Sequence, residues 1–416
     1  MAWYIEEQEC TYLDYNATTP LDKFVEDTIV NSIKFWANPS SNNSLGRKAK
    51  EVIEAARERV ASLLNVSAKE VFFTSGGTES NHWVIYNAVE HFKESHDHEL
   101  KPHVVTSSIE HPSILELLRS LQTKGEIEYT AVGVSAETGI VELNEVEDAL
   151  CERTVLVSVM LANNETGVIQ PVAKIADIAR QASERFNSRI LVHTDAAQAI
   201  GKIEVDMKVL KTDFITVVGH KVYGPRIGAL VIRNEKTVPL QALFRGGFQE
   251  NGKRAGTENT AMIAGLGAAC QIASERLSAN MRQMRHVRDY FEEQLRSILG
   301  DAVRIHFTKS ERIPNTSSVS FIKYPGNAVD FLSKCKSFTA STGAACHAGT
   351  NGSSTVLLAC GLSEEVACRT VRFSFGRESS EEQVDRVINE IKSVCFFGKY
   401  GSSLLKAINK GPVSGF

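Results

Sequence analysis

No apolar run in this 416-residue chain is long enough to span a membrane as a helix, and the buried-looking stretch Thr154–Ala162 is far too short. Charge of one sign is also missing. The 46 Lys and Arg stand against 50 Asp and Glu, and a formal net charge of -4 offers no positive field to nucleic acid or an anionic membrane. The first ten residues carry Glu6, Glu7 and Glu9 but no apolar stretch, so they read as mature protein and not as a signal or transit peptide. Eight cysteines are present: Cys10, Cys151, Cys270, Cys335, Cys346, Cys360, Cys368 and Cys395. No two form a Cys-x-x-Cys pair, which argues against a disulfide scaffold and against a structural zinc site; no metal is expected. Reduced thiols in a cytoplasmic compartment are the simplest reading, most of them small buried hydrophobes. Repeats and low-complexity tracts are absent.

What is there is the balance of a globular protein, 43% apolar and 23% charged, in a chain long enough for two domains. Between Ala37 and Asn65 the chain turns helical, with Val52, Ile53, Ala56, Val60 and Leu63 near helical spacing. Short apolar segments follow at Val71–Thr74, Val104–Ser107, Tyr129–Val134, Val155–Leu161, Ile190–His193, Phe214–Val218 and Ala229–Ile232. Several are unbroken apolar runs, as strands covered on both faces are. Their alternation with helical stretches predicts an α/β layer fold around a mainly parallel sheet. After about Gly265 the pattern changes. Leu277, Met281, Met284, Val287, Phe291, Leu295 and Ile298 trace a helix that stops at Gly300. Strands are predicted at Ser317–Ile322 and Val371–Phe375, and a last helix over Ser380–Val394 with a capping box from Ser379 to Glu382. The expected division is a large domain over residues 15–265 and a smaller α/β domain over 266–416 joined by 1–14.

Three segments, each closing a strand, carry chemistry. Thr74-Ser75-Gly76-Gly77-Thr78-Glu79-Ser80 joins a strand to a helix. Its glycines let backbone approach a ligand, free amides at a helix start bind phosphate, and the hydroxyls of Thr78 and Ser80 can add bonds. A plain strand–turn–helix with a capping hydroxyl explains it equally well, and no Gly-Lys-Ser/Thr follows to make a Walker loop. In His193-Thr194-Asp195-Ala196-Ala197-Gln198 an acid leaves an apolar strand among small residues. It suits a carboxylate facing a buried cation such as the pyridinium nitrogen of pyridoxal phosphate; the alternative is a helix N-cap. In Val218-Gly219-His220-Lys221-Val222-Tyr223-Gly224-Pro225 a lysine follows a strand directly. Desolvation there frees its amine for a Schiff base, whereas a lone lysine is more often a surface residue. All three meet at one sheet edge, where ligands bind in such folds.

With these motifs the chain resembles the class V aminotransferase group of fold-type-I pyridoxal-phosphate enzymes, the cysteine desulfurase and selenocysteine lyase family. The match runs from Asp14-Tyr15-Asn16-Ala17-Thr18-Thr19-Pro20 to Arg372-Phe373-Ser374-Phe375-Gly376-Arg377. The resemblance implies that Lys221 carries the cofactor and Asp195 pairs with its ring nitrogen. It implies further that Gln198 and Asn164 lie near the ring hydroxyl, that His111 stacks on the ring, and that Gly77, Thr78 and His220 hold the phosphate. Thr257 then reaches the phosphate of a neighbouring subunit, which implies a homodimer. Arg372 clamps the carboxylate of a small amino-acid substrate, with Asn16, Ala17 and Asn38 nearby; an Arg fork suits that task. In the small-residue loop Ser341–Gly352, Cys346 takes the place of the family's catalytic thiol, beside His347. Read without the family, a free cysteine is usually an inert core residue.

Two departures bear on substrate. Desulfurases of the family usually have serine where this chain has Val218, and threonine where it has His347. Both changes, the string Gly343-Ala344-Ala345-Cys346-His347 and Gly224-Pro225-Arg226-Ile227-Gly228-Ala229 resemble animal-type selenocysteine lyases. The expected reaction is therefore L-selenocysteine to L-alanine with release of selenide, and a selenium-accepting protein is an expected partner. Cysteine desulfuration through a persulfide on Cys346 is the alternative, and a non-catalytic scaffold of the same fold a third reading that intact Lys221, Asp195, Cys346 and Arg372 argue against.

Overall fold

The computed structural model describes residues 10–95, 100–234, 236–343 and 353–408. The chain divides into two compact units. One comprises residues 18–163 and 168–280, the other residues 1–17, 164–167 and 281–416.

The first unit is built on a seven-stranded sheet: β2 (Val71–Thr74), β3 (His103–Ser107), β4 (Glu128–Val132), β5 (Thr154–Ser158), β6 (Leu191–Asp195), β7 (Phe214–Val218) and β8 (Gly228–Ile232). The spatial order is β2-β8-β7-β6-β5-β3-β4, and β8 alone runs against the other six. Strands β2, β3, β5, β6 and β7 therefore end on one edge, with Thr74, Ser107, Ser158, Asp195 and Val218. Neighbouring residues of a strand face opposite sides. Val104, Leu156 and Leu191 join a core with Phe72, Trp83, Leu118 and Phe214. Val105, Val157 and Val192 join another with Ile175, Ala176 and Ala179. Both faces being covered, the strand sequences are unbroken apolar runs. Truncating one of the fully buried side chains, Phe214 for example, costs about 3–5 kcal/mol.

The helix Val172–Phe186 shows why the covering elements form. Val172, Ile175, Ala176, Ala179 and Ala182 recur on one buried face, and Asn187 ends the helix in the left-handed region at φ 47°.

The second unit holds β1 (Thr11–Tyr12) paired in parallel with β11 (Phe338–Thr339), and an antiparallel trio of β9 (Arg304–Ile305), β10 (Thr316–Ser320) and β12 (Thr370–Ser374). Leu13, Phe291, Phe321, Phe331, Phe373, Phe375, Val387 and Ile391 form its core. Rings of Phe321 and Phe331 stack with centroids 4.1 Å apart.

Several boundaries differ from those read in the sequence. The helix expected from about 277 begins at Thr260 and runs unbroken to Leu299, contributing to both units; Gly300 stops it at φ 51°. Residues 15–17 and 164–167 group with the second unit because Asn16 bonds there: its backbone N–H donates to Ser374 Oγ and its amide to Thr316 Oγ1. The last helix spans Glu381–Ile408, and its capping box is Ser380 with Gln383. Ser379 instead accepts the Gly376 N–H, so it closes the preceding turn. Of the seven cysteines among the described residues, all are free, and only Cys270, Cys335 and Cys360 are buried.

Candidate active site

The phosphate-type turn is where the sequence placed it. β2 ends at Thr74 and the helix Gly77–Ser95 starts three residues later, at a half-buried Gly77 and an exposed Thr78. Ser80 is fully buried, and its hydroxyl is spent inside the turn, on Thr74 Oγ1 (2.8 Å) and the Gly76 carbonyl (3.3 Å). It shapes the turn and offers nothing to a ligand, contrary to the expectation for it. Glu79 accepts from Ser75 N–H and pairs with Arg254 (2.8 Å), which holds its carboxyl below the ordinary range despite partial burial. The glycine at 77 is required sterically. A Cβ there would lie 2.7 Å from Cγ2 of Val218, at the end of β7.

Asp195 is the last residue of β6 and is 7% exposed. Its Oδ1 accepts the N–H of Ala197, so it does cap the following turn. Its Oδ2 accepts from Asn81 Nδ2 at 2.9 Å, and the same amide reaches Ser113 Oγ. The rest of the polar chain has one consistent direction. Thr216 Oγ1 donates to Asn81 Oδ1 (2.7 Å), so His193 Nε2 must donate to Thr216 (3.0 Å). His193 Nδ1 then accepts from Ser158 Oγ (2.8 Å). Burial pushes His193 down to about 4, so this imidazole is neutral at neutral pH. At the other end Ser113, having accepted from Asn81, donates to His111 Nδ1 (2.8 Å), which also accepts the Ser113 N–H. His111 therefore carries its proton on Nε2, with the imidazole held at the start of the helix Pro112–Thr123.

Lys221 closes the short turn Gly219–Lys221 directly after β7. His220 beside it bonds Thr18 Oγ1 through Nδ1 (3.1 Å), and burial with the positive charge of Lys221 lowers it to about 4. Tyr223, in the left-handed region at φ 60°, is fixed by Thr19, whose Oγ1 accepts its N–H at 2.7 Å. Gln198 is buried, and Lys202, four residues on in the same turn and 4% exposed, donates to its carbonyl and its Oε1. Donation to Oε1 fixes which end of the amide is which. Asn38 and Thr257 are exposed; Thr257 lines a cavity of about 290 Å³ with Thr74, Ser75 and Arg226.

In the second unit a separate cluster forms. Arg372, on β12 and 3% exposed, donates to Asp14 Oδ1 (2.5 Å) and to the Asn164 carbonyl (2.9 Å). The same carbonyl receives the Asn16 amide (3.1 Å), so Asn16, Asn164 and Arg372 are tied through one oxygen, and Ala17 follows Asn16 in the chain. Arg372 Nε is buried with no partner among the described residues, a donor suited to an incoming carboxylate. Cys346 and His347 lie outside the described residues.

Asn81, Ser113, Thr216, Lys202 and Glu110 were not read from the sequence. Lys202 carried a usable signal, its i,i+4 spacing from Gln198. Among the described residues no cluster of three His, Cys, Asp or Glu is placed to hold a metal, and no helix is long and apolar enough to cross a membrane.

The family model described as Aminotransferase class-V matches residues 11–387. A protein of Xenopus laevis named selenocysteine lyase is 44% identical over 397 residues, 92% of this chain and 93% of that protein. One of Neisseria meningitidis named cysteine desulfurase IscS is 38% identical over 385 residues, 92% of this chain and 91% of that protein. Among solved structures a NifS-like protein superposes with a TM-score of 0.83 at 34% identity, covering 93% of this chain and all of that one. The α/β fold, the sheet edge and these matches together place the chain in the class V aminotransferase family.

Proposed function

We propose that this chain is a pyridoxal-phosphate-dependent lyase that converts L-selenocysteine to L-alanine, the selenium leaving as selenide at the expense of a two-electron thiol reductant. The observation that carries the reading is Asp195: a buried carboxylate, tied by Asn81 into a buried polar network, on the sheet edge that also bears the phosphate-type turn and Lys221. The residues present fit the group. Gly77, Thr78 and His220 hold the phosphate, with a neutral His220 able to donate one N–H. Asp195 holds a proton on the ring nitrogen, His111 covers the ring, and Gln198 and Asn164 serve the ring hydroxyl. When bound, the cofactor supplies an electron sink conjugated to the substrate Cα.

The chain's own residues do the rest. Arg372, its Nε without a partner among the described residues, takes the substrate carboxylate with Asn16, Ala17 and Asn38 nearby. Lys221 carries the cofactor, then removes the Cα proton. Cys346 is the thiol that assists departure of the chalcogen. The Cβ–Se bond is weaker and its selenium more readily attacked than sulfur, while carbon keeps the bonding pair to become alanine, so discrimination against cysteine falls at bond breaking more than at binding. Thr257 serves the neighbouring subunit of a homodimer, and exposed Phe248 (93%) and Trp36 (79%) suit a covered surface. A selenium-accepting protein and a cytoplasmic location complete the proposal.

The test is parallel turnover of L-selenocysteine and L-cysteine with alanine measured. With a thiol reductant present, selenocysteine is expected to give alanine and selenide while cysteine is turned over weakly or inhibits. The 38% identity to a cysteine desulfurase supports the second reading. Rapid conversion of cysteine, with a persulfide on Cys346 by mass spectrometry, would establish that reading instead.

A further inference from the structure

Glu110 stands between β3 and the helix Pro112–Thr123, one residue before His111, and is 2% exposed. Past the end of β5 the chain keeps strand-like bonds to one side: Val159 N–H donates to the His193 carbonyl and Leu161 N–H to that of Asp195. Met160 N–H points the other way, to where β3 has already turned off. The Glu110 carboxyl fills that place. Its Oε1 accepts the Met160 N–H (2.9 Å) and the Ser107 hydroxyl (2.5 Å). A second tie runs alongside, from the Asn163 amide to the Ile109 carbonyl (3.1 Å). Glu110 Oε2, by contrast, is buried with no partner among the described residues.

That asymmetry assigns the protonation state. An ionised carboxylate spreads its charge over both oxygens, and a bare buried one costs several kcal/mol in general, whereas a neutral acid leaves at that oxygen only one unpaired O–H, a smaller cost. We propose that Glu110 is a neutral carboxylic acid that clamps the loop bearing His111 to the chain leaving β5, making it a positioning residue for that imidazole. The part concerning His111 rests on the function proposed above; the protonation state does not. The charged surroundings agree. Burial raises Glu110 to about 8, the bonds from Ser107 and Met160 opposing the shift and the charge of Asp195 at the end of β6 adding to it. His111 is its neighbour in sequence, and Ser107 and Met160 do not titrate.

The sign of the pH effect follows. A carboxyl whose folded value is raised favours the fold fully below its ordinary value of 4.5 and progressively less as pH rises to about 8. Glu110→Gln keeps the carbonyl oxygen and cannot ionise; Glu110→Ala removes the clamp. Three readouts on the full chain, with and without pyridoxal phosphate, decide the matter. In infrared spectra, wild type should show a protonated-carboxyl C=O band that Glu110→Gln lacks. The Tm of wild type should fall relative to Glu110→Gln as pH rises from about 4.5 to 8. The His111 ring signals in nitrogen-15 spectra should move in Glu110→Ala and stay put in Glu110→Gln, with turnover down at least roughly tenfold in the first and within about threefold of wild type in the second. Absence of the band, or Glu110→Gln as impaired as Glu110→Ala, would overturn the proposal. A wild type without carbon–selenium cleavage would sink the lyase reading alone, because the band, the Tm and the ring signals are read without it.

Discussion

Asp195 gains its usefulness from what surrounds it, since an acid at a strand end is ordinary. The Asn81 amide and the Ala197 N–H fix both its oxygens, so the carboxylate is oriented before any ligand arrives. Removing it with Asp195→Ala should slow Cα proton removal by roughly 100-fold or more, since preorganised electrostatic and acid–base contributions are each of that size. Asn81→Ala keeps the carboxylate and loses only its orienting donor, so it should cost less, on the order of tenfold for one charge-assisted hydrogen bond. Loss of deuterium from Cα-labelled substrate measures both. Lys221→Ala should abolish that exchange altogether, and normal turnover in that variant would refute its role.

Among the elements, the turn between β2 and the helix Gly77–Ser95 joins local chemistry to sheet order. β2 and β7 both pair with β8, with Gly228 opposite both Thr74 and Val218, which brings Val218 against Gly77. Gly77→Ala places a methyl 2.7 Å from the valine, so the turn must shift. Cofactor affinity, followed by fluorescence titration, should fall about tenfold, equivalent to ~1.4 kcal/mol. Gly77→Ala with Val218→Ala should regain most of it, and an unchanged Kd in the single variant would show that the turn does not bear on the phosphate. The strands of this sheet were legible because burial on both faces leaves a continuous apolar signature, and the residues closing them carried the motifs. The last helix was located, but its cap was misplaced by one residue, because Ser379 and Ser380 offer the same side chain and only backbone geometry chooses between them. The polar network was not legible at all. Asn81 meets Asp195 across 114 residues and Thr216 across 135, and such pairings exist only once the sheet has ordered its strands. Nor could a pattern of residue types show that the Ser80 hydroxyl turns inward.

For the whole molecule, the surface that remains is informative. Phe248 is 93% exposed and Trp36 79%, and Phe248 adjoins Glu250 and Asn251, both in the left-handed region at φ 48° and 56°. Buried Glu250 is anchored from behind by Arg57 (2.8 Å), so this exposed aromatic stands on a fixed base rather than on a loose loop. Such a side chain suits the surface of the proposed dimer, and Thr257 lies only nine positions further along. In a two-fold dimer each substitution acts twice. Covering one phenylalanine stabilises by about 1.5–3 kcal/mol, so Phe248→Lys should weaken association by roughly 100-fold or more. Sedimentation equilibrium should show dissociation at concentrations where wild type is a dimer. Cofactor affinity should fall in parallel, because Thr257 of each subunit is proposed to complete the phosphate site of the other. Thr257→Ala separates the two effects: it should leave the dimer intact and weaken pyridoxal phosphate. A Phe248→Lys protein that is monomeric yet binds the cofactor as tightly as wild type would exclude any shared site.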